Sequence, residues 1–160
     1  MKITWIGQSG YLLCSGETTI LIDPYLSDAV ERVVNRPRMV PALLDPKRIN
    51  VDAVFCTHDH LDHLDPDAIE QMPDTNTFYT TCGGVDHLQN LGKSRVHPLE
   101  IGDRTQVGSF WITAVFAEHT VEAIGLVVEA EGKKLYFSGD TLFNEKLFEM
   151  ADHSLDAAFL

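Results

Sequence analysis

The strongest constraint on this 160-residue chain is the stretch Thr57-His58-Asp59-His60-Leu61-Asp62-His63. Its three imidazoles and two carboxylates follow directly on the apolar run Val51 to Cys56, which only Asp52 interrupts. Neutral imidazole nitrogen and carboxylate oxygen are the usual ligands of zinc, manganese and iron. A helix through the stretch would put His58 and Asp62 on one face and turn His60 away. A loop after a buried strand lets His58 and His60 turn toward one point, and Asp62 and His63 toward a second one close by. The stretch therefore predicts a loop at the C-terminal end of a strand, cradling one or two divalent metal ions per chain. The competing reading is a solvated Asp/His-rich turn; a cluster of this density more commonly marks a metal or catalytic site.

The rest of the chain divides at its turn residues. Lys2 to Gly7 and Tyr11 to Cys14 read as strands joined by the turn Gly7-Gln8-Ser9-Gly10, and Thr18 to Ile22 is a third, β-branched strand that Asp23-Pro24 stops. Residues 25 to 50, with Arg36-Pro37-Arg38 and Asp45-Pro46-Lys47-Arg48, read as an irregular insertion. Asp65-Pro66-Asp67 opens a helix, with an N-cap acid, proline in the first turn and a further acid beside it. Thr77 to Thr81 is a strand, and Val85, Leu88 and Leu91 give a short amphipathic helix closed by Gly92. From Thr105 the pattern is strand after strand: Thr105–Val107, Phe110–Phe116, Gly125–Ala130 and Lys134–Phe137, the last two joined by Glu131-Gly132. Asn144 to Ala151 looks helical, and Asp156 to Leu160 begins another strand. Alternating strands and helices followed by a run of strands predict an α/β (α+β) protein with two sheets covered by helices, an αββα sandwich.

Size and charge narrow the function classes. The length suits one domain able to bury its own core. No apolar run approaches the ~20 residues that span a bilayer, and strand-like alternation begins at Lys2 instead of a signal sequence; the expected location is cytoplasmic. The odd, widely spaced Cys14, Cys56 and Cys82 suit reduced thiols rather than a disulfide frame; Cys14 and Cys56 fall in apolar strands, and Cys82 is left open as a neighbour of the site. A formal charge of −12 argues against a nucleic-acid partner. It leaves room for a small anionic substrate, because bound metal reverses the local field.

The motif His58-x-His60-x-Asp62-His63 resembles the HxHxDH signature of the metallo-β-lactamase superfamily of metal-dependent hydrolases. The opening Lys2 to Tyr11, the run Ile20-Leu21-Ile22-Asp23-Pro24, the lone His119 after a strand and Ser138-Gly139-Asp140-Thr141 after another are similar to the same family. The opening and the compact length look most like its L-ascorbate-6-phosphate lactonase branch. The resemblance implies that His58, His60 and His119 bind one metal, zinc or manganese or else iron. Asp62 and His63 would bind another together with a histidine that no residue here matches, with Asp140 bridging. Without the family order, His119 is a weak candidate and Asp140 serves equally as a turn or N-cap residue. The family also often uses the acid at Asp23 to prop the site, with a simple strand-ending turn as the alternative. Arginines of the 25–50 insertion become candidate phosphate contacts or plain solvated surface.

The resemblance further implies that residues 1–160 are the N-terminal three quarters of one such domain. The implied chemistry is attack by an activated water, oriented by Asp62 as catalytic residue, on a small anionic ester or lactone such as a sugar-phosphate lactone. A phosphodiesterase and a non-catalytic metal-binding scaffold are the alternatives. The expected partner is a small molecule, with neither nucleic acid nor membrane, and a homo-oligomer is left open.

Overall fold

Short runs apolar at consecutive positions, Ile20-Leu21-Ile22 and Ala53-Val54-Phe55, form the middle of the first sheet, which is covered on both faces. In the computed structural model, which describes Met1 to Leu160, β1 (Lys2–Gly7), β2 (Gly10–Ser15) and β3 (Thr18–Ile22) form an antiparallel meander. β4 (Ala53–Phe55), β5 (Thr77–Thr80) and β6 (Val96–Pro98) then add to β3 one after another in parallel. The second sheet has β7 (Arg104–Val107), β8 (Phe110–Phe116), β9 (Ile124–Ala130) and β10 (Lys133–Phe137) in antiparallel order. β11 (Ala157–Phe159) closes that sheet beside β10, in parallel.

The period of two sorts the side chains. Ile20, Ile22 and Phe55 face the second sheet and meet Phe110, Leu126 and Phe137 in the largest core. Leu21 and Val54 point the other way, against Ala68 and Ile69 of α2 (Pro66–Gln71) and Leu88 of α3 (Cys82–Asn90). At about 25 cal/mol per Å² of apolar surface removed from water, these two contacts carry most of the favourable energy of the fold. The outer face of the second sheet presents Val115, Val127 and Tyr136, covered by Met150 and Leu155.

The αββα order read from the sequence is present, with a thin last layer. Glu145–His153 is a 3₁₀ helix, begun by Asn144, whose side chain accepts from the Lys146 N–H. Only Met150 of that segment is buried, so little packing energy favours a regular α-helical stripe there. Within the insertion a short helix, α1 (Ala29–Val34), and a 3₁₀ turn (Pro46–Arg48) replace the irregular path. α1 escapes a sequence reading because it is rich in valine and buries only Ala29. Asp65 does cap α2: its carboxylate accepts from Ala68 N–H at 3.1 Å, and also from the backbone N–H groups of Leu26 and Ser27 at 2.8 and 2.7 Å. One buried acid thus starts a helix and ties down the start of the insertion. No helix is long and apolar enough to cross a membrane.

Candidate metal centre

Strand direction decides where the polar residues gather. β3 and β4 run parallel, and β8 and β10 share a direction because both pair antiparallel with β9. The segments leaving the ends of β3, β4, β8 and β10 carry Asp23, the 57–63 loop, His119 and Asp140 respectively, and all four meet at one rim of the sandwich.

The loop after β4 folds back on itself, its turn closed by His63 and Leu64 N–H groups donating to the His60 carbonyl at 3.0 and 2.8 Å. Two sets of donors converge there: His58, His60 and His119 form one, and His58, His63 and Asp140 the other, with ligand atoms within 4.8 Å of one another in each. His58 belongs to both. His119 Nε2 lies 3.1 Å from His60 Nδ1 and 3.8 Å from Asp140 Oδ2, so the two sets adjoin. The structure therefore brings together five of the six residues singled out as ligands. Asp62 joins neither set; its Oδ2 accepts from Gln8 Nε2 at 3.1 Å.

Behind the donors stands a polar frame. Asp23 accepts from Thr57 N–H at 2.7 Å and from Thr57 Oγ1 at 2.8 Å, and lies 2.8 Å from His63 Nδ1. Thr57 Oγ1, its proton committed to Asp23, is left to accept from His58 Nδ1 at 3.2 Å. Both rings thus hold a proton on Nδ1, a tautomer assigned from this network, and turn Nε2 into the site. Gly139 lets the Asp140 loop approach this frame: its φ is +55°, and a Cβ there would sit 2.7 Å from Thr57 Oγ1.

The fit to a cation rests on orphaned atoms. His58 Nε2 and His63 Nε2 are buried with no hydrogen-bond partner, a loss of about 1–3 kcal/mol for each such group. Asp140 Oδ1, 3.2 Å from His63 Nε2, attracts it without the alignment of a hydrogen bond. The lone pair of His58 Nε2, and that of His63 Nε2 once its proton is displaced, beside the Asp140 carboxylate suit a divalent ion, and mixed nitrogen and oxygen donors are compatible with zinc, manganese or iron.

Electrostatics agree with this assignment. Burial and the neighbouring His63 lower the His58 pKa to about 3, so His58 is neutral at working pH. Burial opposes a charge on His63, but Asp23 and Asp140 overcome it and raise the pKa to about 10. Contact with His63 in turn lowers Asp140 to about 2. An ion that takes His63 Nε2 must displace a proton, so apparent metal affinity rises with pH between about 6.5 and 8.5. Chelator competition at those two values checks this, and a pH-independent affinity contradicts it. In the metal-free protein the sign for stability is opposite. The His63 pKa lies above its ordinary 6.5, so its stabilising contribution is complete below that pH and is lost as pH rises toward about 10.

Other polar candidates fall outside the site. Arg38 donates to the carbonyls of Tyr25, Ser27 and Val40 and lies over the Tyr25 ring, while Arg32 pairs with Asp67 and Arg48 with Asp45. These three guanidinium groups shape the insertion. Cys82 is exposed with its Sγ 3.9 Å from Glu100, Cys14 is half-buried and Cys56 fully buried.

The β-lactamase superfamily domain model matches residues 18–160. A metal-dependent hydrolase of Saccharolobus solfataricus is 28% identical over 148 residues, covering 88% of this chain. The chain spans 61% of that relative's length. Among solved structures, a Veillonella parvula protein described as a possible metal-dependent hydrolase superposes with TM-score 0.82 at 22% identity, over 98% of this chain and 69% of its own. A metallo-β-lactamase fold protein of Bacillus subtilis gives TM-score 0.68 at 18% identity, over 91% and 59%. With the fold, the donor sets and the sequence match in agreement, this chain belongs to the β-lactamase superfamily domain family and has the metallo-β-lactamase fold.

Proposed function

We propose that the protein is a metal-dependent hydrolase that directs water at a small anionic ester or lactone, as in the lactonase-like branch its opening strands resemble. The observation that carries this reading is the pair of buried, unpartnered Nε2 atoms of His58 and His63 facing Asp140. A divalent ion bound there supplies Lewis acidity and lowers the pKa of water toward about 7.

The chain's own residues do the rest. His58, His60, His63, His119 and Asp140 would hold the cation, and the Asp23–Thr57 frame fixes the tautomers of His58 and His63. Asp62, half-buried and steadied by Gln8, accepts the proton from the attacking water and orients it. No serine or cysteine nucleophile is needed. Neutral His58 and Asp140 give a site that concentrates cations, and a cation then offsets the chain's negative charge for an anionic substrate. The unpaired cysteines suit a reducing, cytoplasmic setting.

Protein loaded with zinc or manganese is expected to cleave chromogenic esters and lactones faster than bis(p-nitrophenyl) phosphate. Chelation abolishes the activity, and Asp62→Asn removes most of it while leaving the fold. Turnover of the phosphodiester alone would move the assignment to a phosphodiesterase. No turnover of any reporter by metal-loaded protein would favour a binding scaffold.

A further inference from the structure

Each donor set is completed from its own loop, one after β8 with His119 and one after β10 with Asp140. Glu118 joins these loops at three points. Its N–H donates to Thr141 Oγ1 at 3.0 Å, its carbonyl accepts from the Leu142 N–H at 2.6 Å, and its carboxylate accepts from the Asn144 side-chain amide. Glu118 immediately precedes His119, and Thr141 immediately follows Asp140. The same loop is anchored at its far end by Ile124 N–H donating to the Thr57 carbonyl at 3.0 Å and by Glu122 accepting from Gly83 N–H at 2.7 Å.

We propose that Glu118 is a positioning residue: by clasping the Asp140 loop it sets the spacing between His119 and Asp140, and so couples the two donor sets. The proposal rests on the metal-binding reading above. Glu118 itself is exposed and touches neither donor set, so it acts through its neighbours. The main-chain part of the clasp, Leu142 N–H to the Glu118 carbonyl, survives any side-chain change. The carboxylate–amide part does not, and it is the part that can be exchanged.

Asn144→Asp puts two carboxylates in contact while keeping an acceptor for the Lys146 N–H, since aspartate caps as well as asparagine. Adding Glu118→Gln restores a donor–acceptor pair with its polarity reversed and with the parent's net charge. Geometry is thereby separated from charge. Zinc affinity is read by chelator competition, with thermal unfolding of the metal-free proteins as the fold control.

The expected result is a loss of affinity of about tenfold or more in Asn144→Asp, the range seen when partners behind ligands are changed. The Glu118→Gln/Asn144→Asp pair returns close to the parent. A merely structural role would lower the unfolding temperature without moving the affinity. If Asn144→Asp does not fold, Thr141→Val, which removes the acceptor for Glu118 N–H, is expected to weaken zinc binding in the same way. Unchanged affinity in the folded single variant, or a double variant as weak as the single, overturns the clasp alone. A parent protein that binds no zinc overturns the metal reading and the clasp with it.

Discussion

His58→Ala removes metal binding at both donor sets in a single step. His58 is the one residue common to the two groups, and it is fully buried with its Nε2 unpartnered. Loss of a shared ligand is expected to exceed the roughly 10- to 100-fold affinity loss caused by changing a ligand's supporting partner. Metal-dependent turnover should fall with it. The fold should survive at reduced stability, because alanine forfeits the packing of an uncharged ring and its Nδ1 hydrogen bond to Thr57 Oγ1. His60→Ala, which touches only one set, should retain metal at the other. His97→Ala is the natural control: that ring stacks on Tyr79, far from either set in the chain's topology, and should leave metal content unchanged. Calorimetric titration of the three variants with zinc distinguishes these outcomes. Equal losses in His58→Ala and His60→Ala would contradict the shared-ligand geometry.

Asp23→Ala is expected to have the largest effect on stability. Its carboxylate is 1% exposed and is the acceptor for Thr57 N–H, Thr57 Oγ1 and His63 Nδ1. Removing it leaves a buried charge on His63 and two buried donors without partners, a change of about 3–5 kcal/mol. Asp23→Asn keeps the shape but turns an amide donor toward Thr57 Oγ1 and His63 Nδ1, where an acceptor is required. His63 then loses the carboxylate that most raises its pKa. In the metal-free variant, the fall of stability between about pH 6.5 and 10 should shrink. Urea unfolding at pH 6 and pH 9 measures both effects, and an Asp23→Ala protein as stable as the parent would contradict the frame.

The contrast between what was readable in the sequence and what was not follows sequence distance. The 57–63 loop, the Asp65-Pro66 start of α2 and the Glu131-Gly132 turn are local patterns, set by neighbours in the chain, and all three are present. His119 and Asp140 carry no local signal beyond their places at strand ends, and only a family order singled them out. Asp23 lies 40 residues from His63, and a strand-ending acid reads equally well as a turn. The family order offers Asp23 as a prop beside that alternative, and its contacts with Thr57 and His63 follow from β3 and β4 running side by side. Glu118 and Gln8 are ordinary surface residues by composition, and their contacts bridge 26 and 54 positions. For Asp62 the motif suggested a ligand, whereas the structure sets it beside Gln8 and outside both donor sets. The 25–50 segment was opaque because α1 presents one buried alanine and no amphipathic stripe.

The most direct test of the central claim is X-ray absorption at the zinc edge of the loaded protein. The two donor sets predict a first shell of nitrogen and oxygen at about 2.0–2.2 Å with outer-shell scattering from imidazole rings, lost in His58→Ala. A shell containing sulfur at about 2.3 Å, or oxygen alone without imidazole scattering, would place the metal elsewhere and contradict the assignment.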